Sequence, residues 1–221
     1  ALSITASTGN ITQGSELAVG TTSTFTTSAS NGTITLNDDD NTFTGAVALN
    51  TNGSSGNATI KDKEAALLLA ASSVGGILTA TAAADDITQN GILTITGAAK
   101  FITETTDKSI LLGESNAFAS HVTMQAGNGD NATFDDITFK DSGGVDLVSS
   151  APSLAGKLFI DATNNLAVGG SLSITATTGN ITQGSELAVG ALSTFTTIEG
   201  DGTITLNDAD NTFTGAVELN T

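Results

Sequence analysis

The sequence has 221 residues, of which 23 are acidic and six are lysines, so its formal net charge at pH 7 is −17. Because binding to a phosphate backbone or to an anionic membrane surface depends on Lys and Arg, this balance disfavours nucleic acid and membrane partners. The chain has no Cys, which excludes disulfide bonds and thiolate metal sites, and it has no apolar run of about 18 residues that would predict a membrane-spanning helix.

The chain repeats itself, and the repeats define its organisation. Residues 171–221 align with residues 1–51 without a gap and are identical at 41 of 51 positions. A weaker copy begins near Ile77 and carries the same apolar pattern at a constant offset. We therefore interpret residues 1–221 as one continuous repeat array, with a unit of residues 1–76, a unit of residues 77–170 and a partial unit of residues 171–221.

In the first unit, apolar and polar residues alternate over segments of about five residues, which is typical of strands with one buried face. Gly, Asn, Asp and Ser fill the joints between these segments. The segment from Lys63 to Ala71 is compatible with a short helix or with an apolar strand, and both interpretations stay open. Residues 57–62 are echoed by residues 131–136 in the second unit. The apolar residues of the predicted strands are Leu2, Ile4, Leu17, Val19, Phe25, Ile34, Leu36, Phe43, Val47 and Leu49.

Near-identical segments that recur at long intervals can stack on one another in register, as the repeats of β-helices do. We therefore predict an all-β fold, a parallel β-solenoid, in preference to a sandwich. Stacked turns would bring like residues above like. No capping sequence is recognisable at either end, so we expect either a window from a longer array or copies that join end to end.

The unequal lengths of the two complete units predict the size of a turn. The units have 76 and 94 residues, and an insertion equal to the difference preserves strand pairing most easily if it adds one whole turn. We therefore predict turns of ~18–19 residues, four in the first unit and five in the second, with residues 141–157 as the added turn. Eleven or twelve such turns would form a rod about 55 Å long. A competing count of about 25 residues per turn follows from the spacing of Leu2, Phe25 and Val47.

The order and spacing of residues in the repeat resemble those of the repeat tracts of filamentous-haemagglutinin-like bacterial surface proteins and giant adhesins. The resemblance rests on Gly9-Asn10-Ile11-Thr12-Gln13, Leu17-Ala18-Val19-Gly20 and Asn41-Thr42-Phe43-Thr44-Gly45, and it covers essentially the whole chain. It implies a right-handed parallel β-helix, secretion to the bacterial cell surface, and a role as stalk, fibre or adhesive rod. The implied partners are neighbouring repeats, other copies of the chain, and cell-surface or extracellular matrix ligands.

Acidic joints are the candidate metal sites, because Ca2+ takes several oxygen ligands from carboxylates and loop carbonyls. One group resembles calcium-binding nonapeptide repeats, although its spacing is one residue short. The alternative is that these joints are solvated corners. No cofactor is required, and calcium is the one candidate. The candidate ligands are Asp38, Asp39, Asp40, Asp208 and Asp210 in two copies of one joint, and Asp130, Asp135 and Asp136 in the other group.

Catalysis is not expected, although parallel β-helices include polysaccharide lyases and hydrolases. Lyases resembling pectate lyase generally use an Arg, which this chain lacks, and its paired acids recur as a structural ladder would. His121 is the only His and cannot form a transition-metal site by itself. Thr-x-Thr segments such as Thr24 to Thr26 keep ice binding open as a minor alternative.

The sequence therefore predicts a structural, extracellular repeat segment whose stacked turns form a fibre or an adhesin stalk. Its acidic faces are expected to associate only when divalent ions are present. The alternative is a ligand-binding module with cation-dependent contacts, in which the 94-residue unit carries the binding surface.

Overall fold

A computed structural model of the chain describes residues 1–126, 134–143, 145–148, 157–161, 166–184, 186–198 and 201–221. In these residues the secondary structure consists of strands, turns and bends without a helix, so none of them forms a helix that could span a membrane. The strands are β1 Leu2–Ala6, β2 Ile11–Thr12, β3 Ala18–Val19, β4 Ser23–Ser30, β5 Ile34–Leu36, β6 Thr42–Phe43, β7 Val47–Asn52, β8 Ala58–Asp62, β9 Leu67–Leu69, β10 Ser72–Val74, β11 Leu78–Ala82, β12 Ile87–Gln89, β13 Leu93–Ile95, β14 Ala99–Thr103, β15 Lys108–Phe118, β16 Val122–Ala126, β17 Phe134–Asp141, β18 Val145–Val148, β19 Lys157–Asp161, β20 Leu166–Val168, β21 Leu172–Ala176, β22 Ile181–Gln183, β23 Leu187–Val189, β24 Ser193–Thr197, β25 Ile204–Thr205, β26 Thr212–Phe213 and β27 Val217–Asn220.

The strands wind into a parallel β-solenoid of about eight turns, which confirms the predicted fold class. Each of the first turns contributes three strands, one to each side of the coil. Face 1 consists of β1, β4, β7, β10 and β13, and face 2 of β2, β5, β8, β11, β14 and β16. Face 3 consists of β9, β12, β15, β17, β21, β24 and β27, while β3 and β6 form a separate two-stranded sheet on the third side of the first two turns.

Faces 1 and 3 belong to one 15-stranded sheet, and face 2 belongs to a 10-stranded sheet. Two strands join faces 1 and 3, because each pairs with two consecutive strands of the chain. Strand β7 pairs with β9 and β10, and strand β15 with β12 and β13, while β17 pairs with β20 and β21 and so connects β20 to face 3. The backbone ladder therefore continues round this corner of the coil.

The turns are longer than the preferred prediction. Leu2 pairs with Ser23, and Ser23 pairs with Val47. In both cases the number of residues between paired positions is larger than the ~18–19 residues predicted for one turn. The step from Ala58 to Leu78 is also longer than predicted. The predicted turn length is therefore wrong, and so is the count of eleven or twelve turns that follows from it. The competing prediction of about 25 residues per turn gives a number of turns closer to the observed eight or so. About eight turns at about 4.8 Å each make a rod roughly 40 Å long.

On face 3 the longer second unit does not gain its residues as one whole turn. On face 2, three pairing steps lead from Ile11 to Leu78. On face 3, three steps also lead from Ile87 to Leu172, but the last two are longer than any of those three. The predicted extra turn at residues 141–157 is therefore wrong for this face. Within that span the described strand β18 lies next to β19 in the 10-stranded sheet, between β16 and β22, whereas residues 144 and 149–156 lie outside the described residues.

Alternation of side chains along the strands forms the core, as the sequence pattern predicts. In β8 and β14, for example, every second residue is buried. Each copy contains the same edge-to-face pair of phenylalanine rings, with ring centroids 6.1–6.4 Å apart. The segment from Lys63 to Ala71, for which both a helix and a strand were possible, contains strand β9, whose Leu67 and Leu69 are buried. The ring pairs are Phe25 with Phe43, Phe101 with Phe118, and Phe195 with Phe213.

Glycines lie where successive turns approach each other at a corner. A Cβ atom on Gly97 would lie 2.5 Å from the carbonyl carbon and oxygen of Gly76 in the preceding turn. Gly76 in turn lies against Gly56 and Asn57. The backbones can stack this closely because these glycines have no side chain.

Candidate functional site

The acidic corner that follows β5 is partly neutralised by lysines of the next turn. Lys61 Nζ lies 2.8 Å from Asp39 Oδ1 and 2.8 Å from Glu104 Oε1. Lys63 Nζ lies 2.7 Å from Asp40 Oδ1. The hydrogen bond and the charge of Lys61 lower the pKa of Asp39. Two of the three predicted calcium ligands at this corner therefore already have a cationic partner.

The remaining carboxylate of this corner is engaged by its own loop. The backbone N–H of Asp40 donates to Asp38 Oδ1 at 3.0 Å, which is an Asx turn. In the third copy the backbone N–H of Asp210 donates to Asp208 Oδ1, also at 3.0 Å. These acids thus shape the corner in both copies.

The other predicted group of ligands is only partly described. Asp130 lies outside the described residues. Asp136 Oδ1 accepts a hydrogen bond from the backbone N–H of Ser171 at 2.5 Å, and the backbone carbonyl of Asp135 accepts one from Gly170 at 2.7 Å. Among the residues that the structure describes, no group of three or more His, Cys, Asp or Glu side chains is placed to hold a metal ion. Calcium binding at the eight predicted ligands stays a prediction.

His121 lies at the corner before β16 and is half-exposed. Its Nδ1 is 3.5 Å from Ser120 Oγ, and its backbone carbonyl accepts a hydrogen bond from Ala99. Both contacts are local to the wall.

A pair of amide side chains joins consecutive turns in every copy of the repeat. Gln13 Nε2 donates to Asn41 Oδ1 at 2.8 Å, and Asn41 Nδ2 donates back to Gln13 Oε1 at 2.9 Å. Asn41 Oδ1 also accepts the backbone N–H of Leu17 at 2.8 Å. Asn41 is fully buried, so these bonds satisfy a polar group inside the coil.

The same arrangement recurs at the two other copies. Gln89 and Asn116 exchange two hydrogen bonds of 2.9 Å, and Asn116 Oδ1 accepts the backbone N–H of Leu93. Gln183 and Asn211 are joined in the same two directions. Sequence reasoning missed these pairs, although a Gln and an Asn recur in all three copies at the positions that form them.

A second inter-turn contact uses the residue before each Ile-Thr-Gln segment. Asn10 Oδ1 accepts the backbone N–H of Thr33 at 2.9 Å, and Asn180 Oδ1 accepts that of Thr203 at 2.9 Å. Asp86 stands at this position in the second copy and accepts the backbone N–H of Ser109 at 2.7 Å. Each copy thus links its first turn to the next one by a side-chain acceptor as well as by the backbone ladder.

Two buried aspartates end strands at equivalent places in the two complete units. Asp62 Oδ1 accepts the backbone N–H of Phe43 at 3.3 Å, and Asp141 Oδ1 accepts that of Phe118 at 3.0 Å. Burial raises the pKa of both carboxyl groups, and backbone hydrogen bonds offset part of this effect. Because Asp62 and Asp141 make the same contact, the end of β8 in the first unit corresponds structurally to the end of β17 in the second. The sequence match between residues 57–62 and residues 131–136 therefore does not reflect this structural correspondence.

Together these polar groups connect one turn to the next. Their acceptors receive backbone N–H groups, amide donors or lysine side chains, and most of these donors belong to a neighbouring turn. These contacts fix the order and register of the turns.

Comparison with known proteins gives one family. The family model described as Repeats of unknown function (DUF5649) matches residues 1–50, 55–125 and 129–220. No curated protein and no solved structure matches the chain.

Proposed function

The chain belongs to this DUF5649 family of repeats, and from that membership and from its solenoid fold we propose that it is a structural rod, a segment of a stalk or fibre outside the cell. It is not an enzyme in this proposal, and its partners are further repeats or other copies of the chain. The resemblance to filamentous-haemagglutinin-like adhesins supports the extracellular location.

The observation that carries the proposal is the repetition of contacts between turns. The first and third copies have the same strand register, since Leu2 pairs with Ser23 as Leu172 pairs with Ser193. The amide pairs and the phenylalanine pairs are also the same in each copy. In a solenoid each repeat contacts only its neighbours, so such repetition supports growth in length without a new core.

A tandem chain tests whether the repeats extend one rod. A second copy of residues 1–170 is fused to the N-terminus of residues 1–221, so that Gly170 precedes Ala1 where it now precedes Ser171. Small-angle X-ray scattering then measures the maximum dimension. Because residues 1–170 make up about three quarters of a chain of about eight turns, we expect the dimension to grow by about 30 Å.

The control is the same pair of segments separated by a flexible Gly/Ser linker of about 20 residues. This chain is expected to scatter as two rods with variable orientation. A directly joined chain that scatters like the linker control would contradict the proposal.

A further inference from the structure

The first strand of each unit lies on a different face of the solenoid. Strand β1 opens the first unit on face 1, where Leu2 pairs with Ser23. Strand β11 opens the second unit on face 2, where Leu78 pairs with Ala58. Strand β21 opens the third on face 3, where Leu172 pairs with Ile137.

The strand register explains this shift. Ile11 lies at the start of the strand that follows β1, and three pairing steps on face 2 lead from Ile11 to Leu78. In the second unit Ile87 occupies the position of Ile11, and three steps on face 3 lead from it to Leu172. Each new unit therefore begins above the second strand of the unit before it.

We infer that each unit advances the solenoid by three turns and one face, so that successive copies present the same surface in different directions around the rod. The shift is the same in the 76-residue and the 94-residue unit, because the longer unit accommodates its extra residues in two longer pairing steps while the number of steps stays at three. Adding or removing one unit consequently moves the first strand of the following unit to the next face. This inference rests on the proposed function only in one respect: it assumes that the outer surface of the rod is accessible to binding partners.

One surface patch shows the effect. Ser3 pairs with Thr24 and Thr5 with Thr26, and these four side chains point away from the core of face 1. The third copy has the same four hydroxyl groups, on Ser173, Thr175, Thr194 and Thr196, but on face 3. A rigid partner lying along one side of the rod can therefore contact only one of the two patches, whereas separate partners can bind both.

Deletion of the second unit tests the inference. Removing residues 77–170 joins Gly76 to Ser171, and Val-Gly-Gly precedes the junction as it precedes both natural ones. Strand β21 should then take the place of β11 above β8. Since Thr79 now pairs with Thr59, Ser173 should lie beside Thr59 in the shortened chain.

A short thiol cross-linker measures this neighbourhood, because the natural chain has no Cys. In the shortened chain, the variant Thr59→Cys with Ser173→Cys is treated with dibromobimane, which becomes fluorescent on bridging two nearby thiols. We expect it to be bridged as completely as Thr59→Cys with Thr79→Cys in the full chain. The same Thr59 and Ser173 substitutions in the full chain serve as the negative control.

Two outcomes would overturn the inference. If β21 returned to the face that β1 occupies, it would stack on β10. Thr175 would then join the column of Thr5, Thr26, Asn50 and Ser73, and Ser73→Cys with Thr175→Cys would be bridged instead. A shortened chain without the circular dichroism of β-structure would show that units are not separable. Neither result depends on the scattering of the tandem chain, so the rod proposal fails or stands separately.

Discussion

Gln13, Gln89 and Gln183 join turns through side chains that the repeat preserves within this chain. Each amide both donates to and accepts from an Asn of the next turn, so neither partner can be replaced without leaving a group unsatisfied. Burial makes this costly, because Asn41 and Asn116 are fully buried. The pairs therefore specify which segment of the chain stacks on which.

Substitution Gln89→Ala is expected to lower the free energy of unfolding by about 1–3 kcal/mol, since buried Asn116 then loses its reciprocal partner. Urea denaturation measures the effect. The control is Thr94→Ala, an exposed residue of β13, which should change stability by less than about 0.5 kcal/mol. Equal losses in the two variants would contradict a specific role for the pair.

Asp62 and Asp141 predict an unusual pH dependence. Burial raises their pKa above 3.8, so the folded chain binds protons more tightly than the unfolded chain. The free energy of unfolding should therefore rise as the pH falls from neutrality through these folded-state pKa values, and the gain should end near 3.8, where the unfolded carboxyl groups are protonated as well. Urea denaturation at a series of pH values measures this rise.

The double variant Asp62→Asn with Asp141→Asn should lose most of that rise. Asp39→Asn is the control, because Asp39 is exposed and Lys61 lowers its pKa, so that its own contribution falls below pH 3.8. A double variant that keeps the full pH dependence would assign the effect to the general negative charge of the chain.

At the scale of elements, the corners limit the sequence more than the strands do. Outward positions that stack on one another in β11, β14 and β16 hold Thr, Lys, Ile and Gln, whereas the close approach of Gly97 to Gly76 excludes a side chain. A strand position is defined by one buried face, but a corner is defined by contact with the turn before it.

Substitution Gly97→Ala should destabilise the fold by about 1–3 kcal/mol, because its Cβ would overlap the backbone of the preceding turn. Gly20→Ala is the matched control, since a Cβ there meets no atom within 4 Å. The change in thermal unfolding midpoint compares the two. Similar midpoints for both variants would show that the backbones can separate without loss.

The strands themselves could be predicted from sequence, because alternation and repetition both report the buried face. Phe25, Phe43 and Leu49 are core residues in the structure as in the prediction. The site contacts were harder to predict. Asn41 and Gln13 are 28 residues apart in sequence, so their contact can be predicted only when the length of a turn is known.

For the whole molecule, the predicted turn length is wrong because it assumes that a unit holds a whole number of turns. The real unit ends one face beyond its third turn, so the difference between unit lengths carries no information about the turn. Leu78 pairs with Ala58 and not with a residue in the column of Leu2. This pairing distinguishes a unit of three turns and one face from a unit with a whole number of turns.

The net charge of −17 predicts how rods respond to salt. Calcium is expected to promote their association more strongly than sodium at the same ionic strength, since a divalent ion can bridge carboxylates of two chains. Sedimentation velocity measures the association, and addition of a chelator should reverse it. Equal sedimentation in the two salts would contradict cation-dependent contacts between rods.

The reciprocal amide pairs also make this rod subject to chemical ageing. Hydrolysis of either amide in the pair of Gln89 and Asn116 would turn a donor into a carboxylate oxygen, so that two acceptors would face each other inside the wall. Damage of this kind would separate two turns while leaving the backbone uncut. The lifetime of the solenoid would then be set by slow deamidation at a few corners rather than by proteolysis of its strands.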